Sequence, residues 1–527
     1  MIVNKRLLLR AKHGAFSRAG GMKLTSTKAA ALRCGISSMP PPPRLFLEVA
    51  DHRSRPAALL VKAGDKVRKF QQLSRTVDLS QAPVFSPLSA TVAAISRDAH
   101  TRRTTIRLDI LASDENAESE TLPPLTDYGS LTAAQITERI AILGVSGLGG
   151  RGMPVAHKLA AAKKRRVQQL IINAVESDPD ISADEAMIRE RSKAVVEGAR
   201  ILQRASSAER CGIAISKEKK AAIAALRAAL AGSDIELLIL PTHYPLGEEH
   251  RLIYALFGTE TAPSASILDA GFLCFNAATA HAVALAVNRG EPMISRIVSV
   301  DGPTPLRPQN CEVLFGTPIW HLLEVCGADP AQKDRTLING SMRGQLLENT
   351  QAVVHSGVRG VRILDASELL QSDELERNCI NCGHCVSACP VNLQPQALFR
   401  ASRARDTFQL AALGLEDCID CRLCDQVCPS HIPLRDYFGA GRSEMRLWQG
   451  SVDRADHFRN RFDAHQARAE RKLRRPQSVA LAARQSDSKT EFSRTSAKAE
   501  IAAAVARVKA RRAERAEDQG SPRKDDD

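Results

Sequence analysis

Eight of the chain's 13 cysteines fall between positions 379 and 428, in two matched groups. The first reads Cys379-x2-Cys382-x2-Cys385-x3-Cys389-Pro390, the second Cys418-x2-Cys421-x2-Cys424-x3-Cys428-Pro429. A cubane iron–sulfur cluster needs four thiolates arriving from different directions. A tight loop at spacing three supplies three of them, and the cysteine before proline comes from the other group. The pattern therefore predicts two [4Fe–4S] clusters with crossed ligands: Cys379, Cys382, Cys385 and Cys428 around one, Cys418, Cys421, Cys424 and Cys389 around the other. Crossed ligation keeps the clusters close enough for rapid electron transfer, a two-centre wire. Zinc is the competing reading, because Cys-x2-Cys pairs also bind it. Four ligands per zinc do not require two matched quartets each ending in Cys-Pro. Cys34, Cys211, Cys274, Cys311 and Cys326 stand alone and read as small apolar side chains.

A second stretch has the composition of a phosphate site. Leu143 to Pro154 contains Gly144, Gly147, Gly149, Gly150 and Gly152 just ahead of an expected helix near Pro154. Glycines let backbone approach a phosphate, and a helix start offers free N–H donors with a positive dipole end. Proline suits the first helical turn. The stretch lacks the Lys-Ser/Thr of a P-loop and does not match the dinucleotide fingerprint; an ordinary glycine turn is the blander alternative.

The elements that must position these groups follow from the rest of the 527 residues, too many for one core. The net charge is +14, concentrated in the first thirty-odd residues and after Arg442. With four Tyr and two Trp in all, the basic runs lack aromatics to stack on bases, so nucleic acid is not expected as a partner. An anionic lipid surface or an acidic protein partner such as a small ferredoxin fits that charge. No run of about 18 apolar residues is present, which predicts no bilayer span, and Leu7–Leu9 is too short for a signal segment. These features place the chain in the cytoplasm, where clustered cysteines stay reduced and read as metal ligands. Residues 1–40 read as a flexible basic leader ending in four prolines. Short runs at Ala57–Val61, Lys66–Phe70 and Ala90–Ile95 predict strands. Leu170–Ile172, Gly212–Ile215 and Ile235–Leu240 predict strands alternating with helices at Ala183–Arg204 and Lys217–Ala231, an α/β pattern. The segment after Arg442 is Arg/Ala/Ser-rich, with one helical patch at Ala497–Glu517, and reads as disordered or partly helical.

Several phrases resemble known families. "VKAGDKVRKFQQLS…APVFSPLSATVAAI" is similar to the biotinyl and lipoyl carrier barrel. The hairpin turn that carries the modified lysine there reads Ser86-Pro87-Leu88-Ser89 here, so a structural barrel is expected rather than a carrier. "GLGGRGMPVAHKL", "LIINAVESDPDISADEAMIRER" and "YPLGEEHRLIYALFG" resemble the FMN/NADH-binding fold of the flavin subunit of respiratory complex I and, more closely, the C subunit of the Rnf electron-transport complex. The order of barrel, α/β domain, "SRIVSVDG…VLFGTPIWHLLEVCG" and double cluster segment matches that protein over about residues 40–440.

The resemblance implies a multidomain α/β chain: a basic flexible leader at 1–43, a lipoyl-like β-barrel at 44–111, a linker at 112–129 and a Rossmann-like FMN/NADH domain at 130–290. A small β-grasp-like (SLBB) domain at 291–345, a connecting segment at 346–373, an α-helical bis-[4Fe–4S] ferredoxin-like domain at 374–441 and a basic low-complexity tail at 442–527 would follow. It implies that Gly147, Gly149, Gly150, Gly152 and Lys158 surround flavin phosphate. Asn173, Glu176 and Asp184 would contact the isoalloxazine or ribityl side, and Glu249 the nicotinamide nucleotide. For Asn173, Glu176 and Asp184, strand-end capping and surface charge are the plainer alternatives. The family's loop usually reads GGAGFP and its next motif NGAECEPY. Here Arg151 and Met153 replace a small residue and Phe, and Ser177 and Asp180 stand at Cys and Tyr. Leu246 and His250 replace Gln and Lys, "CFNAATA" stands for QNVGTA, and "NGSMRG" for GGPMMG. In function, the resemblance implies a peripheral subunit on the cytoplasmic face of the inner membrane. It would pass electrons between NAD(H), FMN and the two clusters and on to membrane subunits of an ion-translocating complex, with ferredoxin as a further partner. Two other readings stay open: a non-catalytic iron–sulfur relay or assembly subunit without flavin and NAD, and a soluble flavin/iron–sulfur reductase.

Overall fold

The computed structural model describes residues 21–50, 58–76, 78–98, 103–111, 119–125, 127–262, 264–303, 305–329, 335–347, 352–365, 375–486 and 494–517. Two units are distinguished, Met1–Met445 and Arg446–Asp527.

The basic leader is corrected first. Its described part, from Gly21 on, is a docked strap rather than flexible coil. Met22 bridges to Tyr244, and Lys28 Nζ donates to the Glu176 carbonyl at 2.7 Å. Asn310 Nδ2 donates to the carbonyl of buried Ala31 at 3.0 Å, and strand β1 (Ser37–Ser38) pairs in parallel with Cys311 and Glu312. The charge count hid the apolar residues, Met22, Leu24 and Ala31, that find partners in the folded chain. Residues 1–20 lie outside the described part.

The barrel follows from alternation. β2 (Arg44–Ala50), β3 (Ala58–Leu59), β4 (Lys66–Val67), β5 (Ser74–Arg75), β6 (Ala90–Arg97) and β7 (Arg103–Ile110) form a four-stranded sheet, β2-β7-β6-β4, beside the pair β3-β5. Leu45, Leu47, Val49, Val92, Ile106 and Leu108 recur at period two and fill its interior. At the turn that would carry a modified lysine, Ser86 Oγ donates to the Leu88 carbonyl at 2.6 Å.

The α/β region opens with helices α1 (Ala133–Ile142), begun by a Thr132/Gln135 capping box, and α2 (Val155–Ala162). It then alternates β8 (Gln169–Ala174), α3 (Ala183–Ser206), β9 (Arg210–Ser216), α4 (Lys220–Ala229), β10 (Glu236–Leu240), α5 (Glu249–Phe257), β11 (Phe272–Asn276) and α6 (Ala277–Arg289). The strands are all parallel in the order β10-β9-β8-β11. Both faces are covered, which explains the unbroken apolar runs Leu170–Ile172 and Ile213–Ile215. Gly198 lets α3 lie against α6, because a side chain there would run into the Ala280 carbonyl. Successive strands run outward from β8 to β10, and β11 then returns to β8's other side. The carboxyl ends of β8 and β11 thus flank a crevice of the kind that binds ligands in open parallel sheets.

β12 (Ser295–Asp301), β13 (Gln309–Leu314), β14 (Thr336–Ile338), β15 (Gln345–Leu346) and β16 (Gly360–Ile363) join β1 in a sheet of order β1-β13-β12-β16-β14-β15. Residues 346–373, expected to be a connector, therefore supply an inner strand, and the leader supplies an edge. Helices α7 (Ile319–Val325) and α8 (Gly340–Arg343) complete this layer.

The cysteine segment holds α9 (His384–Ala388), α10 (Pro395–Ala404), α11 (Thr407–Ala412) and α12 (Leu423–Gln426). Its repeat is visible in the backbone. Asn381, Gly383 and Asn392 adopt left-handed φ, as do their counterparts Asp420, Arg422 and His431. Helix α13 spans Leu434–Ser486, its first turns anchored in the core by Leu434 and Phe438.

The second unit, taken by itself, holds the remainder of α13 and helix α14 (Arg494–Glu517). Of the two alternatives for this tail, disordered or partly helical, the described residues take the helical one, and α14 covers the patch expected at Ala497–Glu517. Low complexity concealed a composition of Ala, Arg, Glu, Gln and Lys, residues of high helix propensity.

Glu176 shows how the α/β layer is tied together. Its backbone is left-handed, at φ 42°. Its carboxylate accepts from the N–H groups of Asp184 (2.8 Å) and Glu185 (3.2 Å) at the start of α3 and pairs with buried Lys219 at 3.1 Å. Burial by itself would raise this carboxyl; the Lys219 and Lys28 charges hold it below its ordinary value. Glu176→Ala is expected to destabilise the fold by about 3–5 kcal/mol, because it leaves Lys219 buried and unpaired. Denaturant unfolding measures this. A depressed carboxylate contributes fully above its unfolded value, so this contribution should fade as pH falls below about 4.3 and through the lower folded value.

Candidate functional site

The crevice beside β8 and β11 is a cavity of about 500 Å³, within the usual range for a cofactor site. Gly147, Gly149 and Gly152 of the glycine turn line one wall, with Arg151 and Met153. Leu148 N–H donates to Thr279 Oγ1 at 2.9 Å, which ties the turn to the first turn of α6. Gly152, at φ 64°, takes a conformation that side-chain-bearing residues rarely adopt. α2 begins immediately after the turn, at Val155, and sends His157 and Lys158 to the wall. Lys158 Nζ donates to the Cys274 carbonyl at 2.7 Å and to Glu249 Oε2 at 3.1 Å. Burial would raise the Glu249 carboxyl, but Lys158 and then Arg151 hold it below its ordinary range. Asn173, at the end of β8, donates to the Gly247 carbonyl at 2.8 Å.

The structure thus gathers Gly147, Gly149, Gly152, Lys158, Asn173 and Glu249 around one cavity. The other three expected residues are not among its lining. Gly150 has φ 113° and faces Arg359. Glu176 caps α3 and lines a separate cavity beneath the strap. Asp184 is buried behind Asn276, whose Nδ2 donates to its carboxylate at 2.5 Å; burial, and next the Glu176 charge, push it upward. Glu176 and Asp184 are both buried, so neither is the surface charge of the plainer alternative, and Glu176 caps a helix start rather than a strand end. Asn276, Thr279 and Arg343 line the cavity without having been singled out as site residues. The signal for Asn276 was its place as N-cap before "AATA", where its side chain accepts from Ala278 N–H.

The eight cysteines stand around two separate small chambers. Cys389, Cys418, Cys421 and Cys424 line one, with Val391, Leu393, Ile419 and Phe438 among its apolar walls. Cys379, Cys382, Cys385 and Cys428 line the other, with Phe399, Ile432 and Leu434. Among the described residues no three His, Cys, Asp or Glu side chains gather closely enough to hold a single metal ion. Each chamber offers four soft sulfur donors in an apolar shell, a donor set that suits iron–sulfur chemistry. Of the five isolated cysteines, Cys211, Cys274, Cys311 and Cys326 are buried and Cys34 is exposed.

Three family models match the chain: the RnfC barrel sandwich hybrid domain at residues 16–116, the Nuo51 FMN-binding domain at 140–285 and the 4Fe–4S dicluster domain at 378–432. The first reaches into the strap. An FMN-binding domain and a 4Fe–4S dicluster domain are therefore both present. Among curated proteins, the chain is 36% identical over 454 residues to the C subunit of the ion-translocating oxidoreductase complex of Pseudomonas aeruginosa, covering 86% of this chain and 58% of that one. It is 33% identical over 405 residues to the protein of that name from Rhodobacter capsulatus, covering 76% and 78% respectively. The chain spans about three-fifths of the length of the Pseudomonas and Erwinia tasmaniensis relatives. Among solved structures, it is similar to a chain of an NAD+-reducing [NiFe]-hydrogenase at TM-score 0.43 and 18% identity, over 60% of this chain and 63% of that one.

Proposed function

Because the chain belongs to the family of C subunits of ion-translocating oxidoreductase complexes, we propose that it passes electrons between NAD(H), FMN and two [4Fe–4S] clusters and on to membrane subunits of such a complex. The observation that carries this reading is the division of eight thiols into two four-thiol chambers in the same unit as the glycine-walled crevice. The six-stranded sheet is read as the SLBB layer between them in sequence. FMN, when bound, accepts a hydride and releases single electrons, the only quantum a cubane takes.

The chain's own residues would do the rest. The backbone of Gly147–Gly152 would receive the phosphate, with the positive dipole end of α2 beside it; the Gly147, Leu148 and Val155 N–H groups are already engaged, by the Met153 carbonyl, Thr279 Oγ1 and the Val145 carbonyl. Asn173 is oriented by Gly247, and Lys158 is held in place by the Cys274 carbonyl, so neither must be ordered when the cofactor arrives. Glu249, kept ionised by Lys158, is placed to accept hydrogen bonds from a nicotinamide nucleotide. Cys389 and Cys428 each complete the quartet of the opposite motif.

Anaerobically purified protein should contain about eight iron and eight sulfide per chain, with one FMN. A protein with full iron that has no flavin and takes up none would establish the relay reading instead.

No described helix is long and apolar enough to cross a membrane, so attachment is assigned to the surface, on the cytoplasmic face of the inner membrane, with ferredoxin as the acidic partner. Deleting residues 446–527 should increase release from membranes by salt while iron content stays unchanged, because charge attraction is screened. A truncated protein that stays fully bound would place the docking surface in the first unit.

A further inference from the structure

We propose that Arg343 is the charged link between the flavin crevice and one particular chamber, that of Cys389, Cys418, Cys421 and Cys424, and that it raises the potential of the cluster held there. That cluster is then the first met by electrons leaving the crevice and the last by electrons entering it. This inference rests on the reading above, in which crevice and chambers hold flavin and clusters.

Two contacts join the crevice to this chamber, and a third reaches it from just behind the crevice. Tyr244, which lines the cavity beneath the strap three residues before crevice-lining Gly247, donates its hydroxyl to the Cys421 carbonyl at 2.9 Å. Ser264, on the crevice wall, donates its hydroxyl at 2.8 Å to Asp417, the residue before Cys418. Arg435, on the chamber wall, donates to the carbonyls of Arg343 (3.0 Å) and Gly344 (3.1 Å). Tyr244, Met342, Cys421 and Leu423 share one buried cluster of side chains. Neither chamber shares a lining residue with the crevice, so the link to the first rests on these contacts. In the other chamber Cys382 is exposed and Ile380 is 67% exposed, as suits the cluster nearer an external partner.

Arg343 belongs to this junction. It lines the crevice, and its Nε and Nη2 are buried without a hydrogen-bond partner among the described residues. Its guanidinium faces Tyr244, whose hydroxyl bonds the Cys421 carbonyl, so its charge acts on the chamber's thiols. A fixed positive charge favours the more negative, reduced state of a neighbouring cluster. Asp178 and Glu248 offset part of that charge; Asp178 is already engaged by Arg359 at 2.9 Å. With both groups bound, Arg343 would serve one-electron exchanges in which no bond forms or breaks; the two electrons of a hydride from the nicotinamide nucleotide of the proposed function would leave the crevice in two such exchanges.

The test is an anaerobic redox titration of the full-length, cluster-loaded protein, followed by EPR. Arg343→Gln should shift one cluster toward lower potential by about tenfold in its reduced-to-oxidised ratio, about 59 mV for a one-electron couple. The shifted signal should be the one missing from Cys421→Ser. Arg343→Lys should restore most of the potential, which a merely structural role would not predict. Tyr244→Phe, which removes the hydroxyl bonded to Cys421, should perturb the same signal and leave the other alone. A shift in the Cys379-motif cluster, equal shifts in both, or equal effects of Gln and Lys would overturn the proposal. Wild-type protein lacking iron or flavin would overturn the underlying reading as well; full cofactor content with unshifted potentials overturns this inference alone.

Discussion

Cys389→Ser is expected to remove about four of the eight irons, and to remove them from the cluster of the other motif. Cys389 follows Cys379, Cys382 and Cys385 in sequence, yet its side chain lines the chamber of Cys418, Cys421 and Cys424. It is buried, and its sulfur accepts from Leu393 N–H at 3.3 Å, which fixes the direction it faces. Cys428→Ser should do the reverse, emptying the chamber of Cys379, Cys382 and Cys385. Iron analysis together with EPR of each variant separates the two cases. If each serine variant loses the cluster of its own motif, ligation is uncrossed and the chamber assignment fails. The reciprocal pair matters, because a single variant that lost both clusters could reflect collapse of the small helical layer.

Gly149→Val should weaken flavin binding roughly ten- to a hundredfold while about eight irons remain. Gly149 lines the crevice, and a Cβ built there would sit 3.2 Å from Asn276 Cβ, tighter than ordinary contact. Asn276 cannot give way freely, since it caps α6 through Ala278 N–H and donates to Asp184. The branched side chain must then occupy cofactor space. Overpacking of this kind costs about 1–3 kcal/mol, roughly ten- to a hundredfold in Kd. Arg151→Ala should do much less. Its side chain is 78% exposed and stands 3.6 Å from Glu249, and exposed pairs contribute at most about 1 kcal/mol. Flavin fluorescence on release, measured beside iron content, reads both variants. Flavin retained at wild-type affinity in Gly149→Val would move the phosphate site away from this turn.

The amino-acid sequence by itself determined the chemistry whose partners are neighbours along the chain. Ligand spacing, the residue before each proline and the glycine turn ahead of α2 are local patterns, and local patterns survive without a fold. The parallel strands were legible for the same reason, as apolar runs buried on both faces. Tertiary structure decided what depends on partners far away in sequence. Glu176 and Asp184 are acids in a motif beside the crevice, but Lys219 and Asn276, more than 40 and 90 residues on, turn them to helix capping and burial. Gly21–Ser38 looked like leader because its charges are counted locally; Met22 and Leu24 pack against the cluster that contains Tyr244, and its backbone bridges to Tyr244 and pairs with strand β13, all more than 200 residues away. β16 is four residues long and is a strand only because β12 and β14 lie on either side of it. Tyr244 likewise reaches Cys421 across 177 residues, a contact made by packing that no spacing rule contains.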